Sequence, residues 1–143
     1  MIVRLRKQED IATISELEKN CFSDPWTEEM LKSVISPPFS HGFLLEENGE
    51  IVAYGCLATV FEDAEVQNIA VAPKYRKRGL GRLLLNEMEA FAKKAGATKC
   101  FLEVRENNFN ALGLYLNSGY RQISVLKRYY ADGENALVME KEL

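Results

Sequence analysis

One stretch decides how this chain folds: Asn68-Ile69-Ala70-Val71-Ala72-Pro73-Lys74-Tyr75-Arg76-Lys77-Arg78-Gly79-Leu80-Gly81. It reads as a strand that ends at Pro73, followed by a basic loop and the start of a helix. The first turn of a helix presents unpaired N–H groups and the positive end of the helix dipole, so it binds anions. Gly79 and Gly81 carry no side chain that would keep a phosphate away from this backbone. The stretch therefore predicts an anion-binding loop between a strand and a helix.

The charge of this loop contrasts with the charge of the whole chain. Five of the nine residues 74–82 are Lys or Arg, whereas the chain of 143 residues has a formal net charge of −3. A protein that binds nucleic acid usually spreads its basic residues over a whole face. We therefore expect one particular anionic ligand at the loop, and no nucleic acid as a partner.

Composition and cysteine spacing narrow the class of protein. With 47% hydrophobic residues, residues 1–143 predict a single domain with a packed core. No apolar run is long enough to span a membrane and the N-terminus lacks a signal-peptide pattern, so we expect a cytoplasmic protein with no membrane partner. Cys21, Cys56 and Cys100 fit no metal spacing, which favours reduced thiols and no metal. The lone His41 is expected to be structural or solvent-facing.

The periodicity of apolar residues predicts the element order β-α-α-β-β-β-α-β-α-β-β. Strands are predicted at residues 2–5, 42–46, 51–60, 64–71, 100–104, 120–126 and 136–140, and helices at about 8–22, from 27 to before Pro37, at 79–95 and at 108–118. Strand 64–71, helix 79–95 and strand 100–104 form a right-handed β-α-β unit, so the two strands should be parallel. Neighbouring hairpins should be antiparallel. The sequence therefore predicts an α/β fold with a mixed, mostly antiparallel sheet and helices on both faces.

The basic loop also carries a family resemblance. Its Arg76-x-x-Gly79-x-Gly81 pattern, after an Asn-Ile-Ala-Val strand, resembles the coenzyme-binding loop of the GNAT acetyltransferases. Further matches to the second half of that fold are Leu102-Glu103-Val104-Arg105, Asn108 and Ala111-x-x-Leu114-Tyr115-x-x-x-Gly119-Tyr120. The resemblance covers nearly the whole chain in the right order, and it implies the GNAT fold.

Two flanking segments resemble one subgroup, the RimI-type enzymes. They are residues 21–30, which read Cys-Phe-Ser-Asp-Pro-Trp-Thr-Glu-Glu-Met, and residues 128–139 with Arg128-Tyr129-Tyr130. This resemblance implies acetylation of an N-terminal alanine on a small-subunit ribosomal protein, which would be the protein partner. The turn between Tyr130 and Ala136 is shorter than in that subgroup, and Asn135 stands where an acidic residue is common. Both differences concern the acceptor side.

The family resemblance also implies the donor and its binding residues. In GNAT enzymes the loop binds the pyrophosphate of acetyl-coenzyme A (acetyl-CoA), and the preceding strand holds the pantetheine arm through its backbone. The residues implied are Ile69, Ala70, Val71, Arg76, Lys77, Arg78, Gly79, Leu80, Gly81, Arg82 and Asn108. By its position alone, Asn108 is equally a helix N-cap, and capping is the default interpretation.

Two residues are the candidates for catalysis. Glu103 alternates with apolar Leu102 and Val104, so its side chain points to the opposite face of the strand. It is either an ordinary surface carboxylate or a general base, and the RimI-type resemblance favours a base acting through water. Tyr115 either packs on the core side of its helix or donates a proton to the departing thiolate, and the resemblance favours the acid role. A backbone N–H within residues 69–71 is implied as the group that polarises the thioester carbonyl.

Three functions remain open at this point. An α-amine has a pKa near 7.7 and a lysine near 10.4, so deprotonating lysine costs roughly 3.5 kcal/mol more at neutral pH. A single carboxylate base therefore suits N-terminal acetylation, in a groove between residues 22–30 and 128–135. The alternatives are acetylation of a small-molecule amine, which a closed, acid-lined pocket would support, and a non-catalytic acyl-CoA-binding module. The presence of both Glu103 and Tyr115 argues against the last.

Overall fold

The computed structural model describes residues 2–22, 24–34 and 39–143. The predicted helix end before Pro37 lies outside these residues. Seven strands are described, namely β1 (Ile2–Leu5), β2 (Ser40–Glu47), β3 (Glu50–Val60), β4 (Asp63–Val71), β5 (Lys99–Arg105), β6 (Arg121–Leu126) and β7 (Ala136–Glu142). The helices described are α1 (Ile11–Cys21), α2 (Glu28–Val34), α3 (Leu80–Lys94) and α4 (Phe109–Asn117). In this part of the chain, every helix is too short or too polar to span a lipid bilayer.

All seven strands form one sheet in the order β1-β2-β3-β4-β5-β7-β6. The β4–β5 pair is parallel, and the other neighbouring pairs are antiparallel. The prediction of a mixed, mostly antiparallel sheet with one parallel β-α-β unit is therefore confirmed. The sequence did not indicate that β7, the second strand of the last hairpin, pairs with β5 and leaves β6 at the edge.

Two hydrophobic cores lie on opposite faces of the sheet. Leu44 of β2 belongs to the core under α1 and α2, whereas its neighbours Phe43 and Leu45 belong to the core under α3. Successive strand residues point to opposite faces, so a run of buried residues in one strand indicates that both faces are covered. The prediction of helices on both faces is confirmed.

The hairpin between β2 and β3 turns at Asn48 and Gly49. Both residues have positive φ angles, 52° and 79°, which is the backbone that a two-residue type I′ turn requires. The tight turn places Glu47 and Glu50 at the same end of the sheet. These two carboxylates later determine which basic side chains of the loop remain available.

The parallel pair β4–β5 opens part of the way along its length. The strands pair from Asp63–Lys99 to Val66–Leu102 and no further. At that point Cys56 of β3 is opposite Asn68, and Leu57 is opposite Val66. Gln67 is thus an extra residue in β4, a β-bulge, which bends a strand and increases its twist. Beyond it, the edge of β4 that faces β5 has no strand partner. We call this opening the β4–β5 gap.

The cysteines and His41 are packing residues. The three thiols are free; Cys56 and Cys100 are buried, and Cys21 is half-buried. Burial raises the pKa of Cys100 to about 11, which makes it a poor nucleophile. The His41 ring packs against Phe91 with the ring centroids 4.7 Å apart. This placement agrees with the structural interpretation of both residue types.

Candidate active site

The start of α3 presents backbone donors at the end of the basic loop. Lys77 and Gly79 both have positive φ angles, 64° and 76°, and such left-handed residues turn successive N–H groups towards one point. No side chain caps the helix, and the first backbone bond at this end runs from the Leu83 N–H to the Gly79 carbonyl, at 3.1 Å. The N–H groups of residues 80–82 are therefore available to an anion.

Ion pairs divide the basic side chains of the loop into two groups. Arg78 binds both carboxylate oxygens of Glu47, at 2.9 and 2.6 Å, and Lys74 lies 3.3 Å from Glu50. Arg78 was predicted to bind coenzyme, but the structure directs its guanidinium towards the β2–β3 turn. Among the described residues, the loop cations without an acidic partner are Arg76, Lys77 and Arg82.

The open edge of β4 presents alternate backbone groups to the gap. The Ala72 N–H donates to Val52 of β3 at 2.9 Å, so the alternation of an antiparallel ladder turns Ala70 towards β3 and Ile69 and Val71 towards the gap. The Ile69 N–H already donates to the side-chain oxygen of Asn68, at 2.9 Å. The Val71 N–H is thus the best-placed donor for a carbonyl oxygen that enters the gap.

Three elements converge beside this edge. A Cβ added to Gly81 would lie 3.4 Å from Leu114 of α4 and 3.7 Å from Val71 of β4. The start of α3, the end of β4 and the middle of α4 are therefore in contact. Tyr115, the residue after Leu114, is brought to the same region as the predicted coenzyme loop.

Tyr115 lies in an environment that keeps its hydroxyl protonated. Its residue surface is 5% exposed, and its ring packs edge-on against Tyr120 with the centroids 5.8 Å apart. Burial raises the pKa of Tyr115 above its ordinary value. Within the described residues its hydroxyl makes no hydrogen bond, whereas Tyr120 donates to Glu89 at 2.7 Å. The ring therefore packs in the core, and the role of the protonated hydroxyl as an acid stays a prediction.

Glu103 lies on the other side of the gap. It is exposed, whereas Leu102 and Val104 are buried, as the alternation predicts. Its carboxylate, close to the Tyr129 hydroxyl, is the chief cause that raises the pKa of Tyr129, to about 12. Glu65 is exposed, but the surrounding protein partly desolvates its carboxylate. This desolvation and, secondly, the nearby charge of Glu103 raise the pKa of Glu65. Glu65 and Glu103 border a cavity of about 380 Å³ whose lining also includes Asp63 and Phe101.

Arg105 fixes the β6–β7 loop, residues 127–135, over Glu103. Its guanidinium lies 2.9 Å from both Asp132 and Glu134 and 4.0 Å from the centre of the Tyr130 ring. The family pattern found in the sequence included Arg105, but the sequence analysis gave this residue no function. Its spacing from Glu103 indicates that the two side chains lie together, because residues two apart on a strand share a face.

Glu18 and Asn68 form a second connection, which the sequence analysis missed. Glu18 is 1% exposed and accepts hydrogen bonds from the Trp26 N–H at 2.8 Å and the Asn68 amide at 2.7 Å. These bonds join the α1–α2 linker, which comprises Phe22 and residues 24–27, to β4. The sequence did contain an indication of this role. Glu18 comes four residues after Ile14 and so lies on the apolar face of the helix, where a glutamate is unusual unless it is paired.

Asn108 caps helix α4. Its side-chain oxygen accepts a hydrogen bond from the Ala111 N–H at 3.2 Å, as expected of an N-cap residue. Asn108 is exposed, and its contact with the coenzyme stays a prediction.

Comparisons with known proteins agree with this geometry. The model of the acetyltransferase (GNAT) family matches residues 11–120. A Bacillus subtilis protein named putative [ribosomal protein bS18]-alanine N-acetyltransferase is 35% identical over 139 residues, covering 96% of this chain and 92% of the relative. The crystal structure of the ribosomal-protein-S18-alanine N-acetyltransferase from Escherichia coli superposes with a TM-score of 0.92 at 30% identity, covering 99% of this chain and 92% of that chain.

A third structure supports the fold alone. It is a GNAT family acetyltransferase from Elizabethkingia anophelis with acetyl-CoA bound, which has a TM-score of 0.85 at 21% identity and covers 99% of this chain and 97% of that chain. The family resemblance found in the sequence is confirmed. The chain belongs to the acetyltransferase (GNAT) family, and its fold and relatives are those of acetyl-CoA-dependent N-acetyltransferases.

Proposed function

We propose that this enzyme transfers the acetyl group of acetyl-CoA to the N-terminal α-amine of a protein, and that its acceptor is the N-terminal alanine of ribosomal protein bS18. One observation carries the proposal: the uncapped start of α3 and the β4–β5 gap lie together, with Glu103 on the far side of the gap. The names of the relatives supply the acceptor. The cytoplasm, where ribosomal proteins are made, is the proposed location.

The donor binds along the loop and the open strand edge. The pyrophosphate of acetyl-CoA accepts hydrogen bonds from the N–H groups of residues 80–82 and is neutralised by Arg76, Lys77 and Arg82. Arg78 contributes its backbone, since its side chain is paired with Glu47. The pantetheine arm follows Ile69, Ala70 and Val71 in the manner of an added strand. Asn108 approaches the coenzyme from the start of α4.

The transfer proceeds by direct attack of the amine. Glu103 accepts a proton from the α-ammonium group through water, and the neutral nitrogen then bonds to the thioester carbon. The Val71 N–H donates to the carbonyl oxygen while it carries negative charge. When the carbon–sulfur bond breaks, Tyr115 gives its proton to the thiolate. The nitrogen, which carries two protons after its attack, loses one of them to become a neutral amide, and a proton delivered through water restores the Tyr115 hydroxyl. The products are the N-acetylated peptide and coenzyme A with a free thiol, and the mechanism draws only on groups of this chain.

The shape of the acceptor side favours a peptide over a small amine. The cavity beside Glu103 is acid-lined, as a small-amine site would be, but Asp63, Glu65 and Glu103 are all exposed. In this proposal the acceptor groove extends from the open site between the α1–α2 linker and the β6–β7 loop, whose Tyr129 lies near Glu103. Such a groove admits an extended chain whose N-terminus reaches Glu103. Acetylation of a small-molecule amine is the second candidate, because three carboxylates would attract a polyamine.

An acceptor panel tests the proposed function. Thiol release from acetyl-CoA should be fastest with a peptide that begins with alanine, because its α-amine has the lower pKa and its chain fills the groove. The controls are the same peptide with a blocked N-terminus, free lysine and a polyamine. Equal or faster turnover of the small amines would contradict the proposal.

Two substitutions at Gly81 test the coenzyme loop. Gly81→Asp should weaken acetyl-CoA binding by roughly 100-fold or more, because it sets a carboxylate against the pyrophosphate. Gly81→Ala is the matched control: its Cβ would lie 3.4 Å from Leu114, an ordinary contact. Isothermal titration calorimetry should find the alanine variant close to the natural protein. A normal affinity for the aspartate variant would place the pyrophosphate elsewhere.

The pH dependence of Glu103→Gln tests the base. At pH 6.5 most of the α-amine is protonated and we expect kcat/KM to fall by about 100-fold, whereas at pH 9 the amine is already neutral and the loss should be below about tenfold. Glu65→Gln, which removes a neighbouring carboxylate, should change kcat/KM by the same factor at both values. A loss for Glu103→Gln that does not vary with pH would rule out its role as base.

Tyr115→Phe tests the acid. The change removes the proton donor and keeps the ring, so kcat should fall by about 10²–10⁴-fold while acetyl-CoA affinity is retained. Tyr120→Phe is the control, because it removes a buried hydroxyl that bonds Glu89. That variant should lose thermal stability and keep its kcat. If the two variants had the same kcat, Tyr115 would be only a packing residue.

A further inference from the structure

We infer that Glu18 is a positioning residue that sets the distance between the α1–α2 linker and the donor strand β4. The inference rests on the proposed function, in which the linker borders the acceptor groove and β4 holds the donor. Glu18 lies on α1, and its carboxylate contacts the linker and the strand without reaching the gap itself.

Each oxygen of Glu18 serves one of the two elements. One oxygen accepts from the Trp26 N–H at 2.8 Å, in a segment that has no helix or strand to satisfy its backbone. The other accepts from the Asn68 amide nitrogen at 2.7 Å. The same nitrogen donates to the Tyr54 hydroxyl at 2.9 Å. The linker and β4 are therefore connected through a single buried carboxylate.

The network continues to the donor side of the gap. The side-chain oxygen of Asn68 accepts from the Ile69 N–H at 2.9 Å, on the edge of β4 that faces the gap. Because the nitrogen of this amide is committed to Glu18 and Tyr54, its oxygen is held towards Ile69. Glu18 thus orients both a main-chain group of the groove and a main-chain group of the donor strand.

The burial of Glu18 makes this connection rigid. An apolar side chain of similar volume would often stabilise the fold as well as a buried charge does, so stability alone does not explain a carboxylate here. Two hydrogen bonds with fixed directions do determine geometry. In a two-substrate reaction, a misplacement of about 1 Å costs about 100-fold in rate. The connection therefore serves the alignment of amine and thioester.

A reciprocal exchange tests the inference. Glu18→Gln turns an NH₂ group towards the NH₂ of Asn68, and Asn68→Asp turns a carboxylate towards a carboxylate. The double variant E18Q/N68D restores a donor opposite an acceptor and keeps the total charge. We expect E18Q to raise the KM for the acceptor peptide by roughly tenfold and N68D by more, with the KM for acetyl-CoA changed less than about threefold, and the double variant to recover most of the loss.

The only tryptophan of the sequence, Trp26, provides a second measurement that is independent of activity. Acrylamide quenching of its fluorescence should increase in E18Q and return towards the natural value in the double variant. Glu16→Gln is the control on the same helix, because Glu16 is exposed and pairs with Lys19 at 3.4 Å. It should change neither KM nor quenching.

The outcomes separate this inference from the proposed function. Should E18Q lower only the melting temperature, with peptide KM and quenching unchanged, Glu18 would be merely structural. If neither single variant folds, the test is made on the folded double variant. Its KM for the peptide and its quenching must equal those of the natural protein, and a departure in either would contradict the inference. If the natural protein acetylates no peptide, the proposed function fails, and the quenching series still confirms or refutes the connection.

Discussion

The extra residue in β4 is the constraint on which the rest of the site depends. With Gln67 inserted, the parallel pair β4–β5 stops at Val66 and Leu102, and the remaining edge of β4 faces an opening. An unpaired strand edge inside a sheet is costly unless something bonds to it. Side chains satisfy part of this edge, since Asn68 accepts from the Ile69 N–H at 2.9 Å and Arg76 donates to the Val71 carbonyl at 3.1 Å. In the proposed function, an extended coenzyme arm bonds to the groups that remain. The same opening keeps β5 apart from β4, so a base on one strand and a bound thioester on the other can face each other across an acceptor.

Electrostatics at the coenzyme loop follow from a hairpin distant in sequence. The left-handed turn at Asn48 and Gly49 places Glu47 and Glu50 where they bind Arg78 and Lys74. Exposed pairs of this kind add little stability. Their effect is on direction: they hold two basic side chains away from the start of α3, so backbone N–H groups and the remaining cations define the anion site. A chain of net negative charge thereby offers a small, specific anion site.

The sequence predicted most elements because they depend on local patterns, and the proposed donor site is local in the same sense. Alternation and helical spacing located the strands and helices, and the β-α-β unit required a parallel pair. Residues 76–82 build the anion site from neighbours in sequence. What was missed depends on pairs far apart in the chain: Arg78 with Glu47, 31 residues away, and Asn68 with Glu18, 50 residues away. The bulge at Gln67 was equally hidden, because an extra residue is recognised only against its partner strand.

The difference between local contacts on the donor side and long-range contacts on the acceptor side also explains why donor and acceptor specificity are separable in such a chain. Apart from Asn108, the proposed donor contacts lie in one continuous segment, residues 69–82, which would serve every acceptor alike. The proposed acceptor side consists of two segments, the α1–α2 linker and the β6–β7 loop, each attached to the sheet through one polar side chain, Glu18 or Arg105. A substitution in either segment changes the groove and leaves the coenzyme loop intact. Asn135 lies on the Arg105 side, where it accepts a hydrogen bond from the Arg128 N–H at 2.9 Å. The loop therefore acquires its shape from its own short contacts, and it is there that differences in acceptor preference between this enzyme and its relatives should arise.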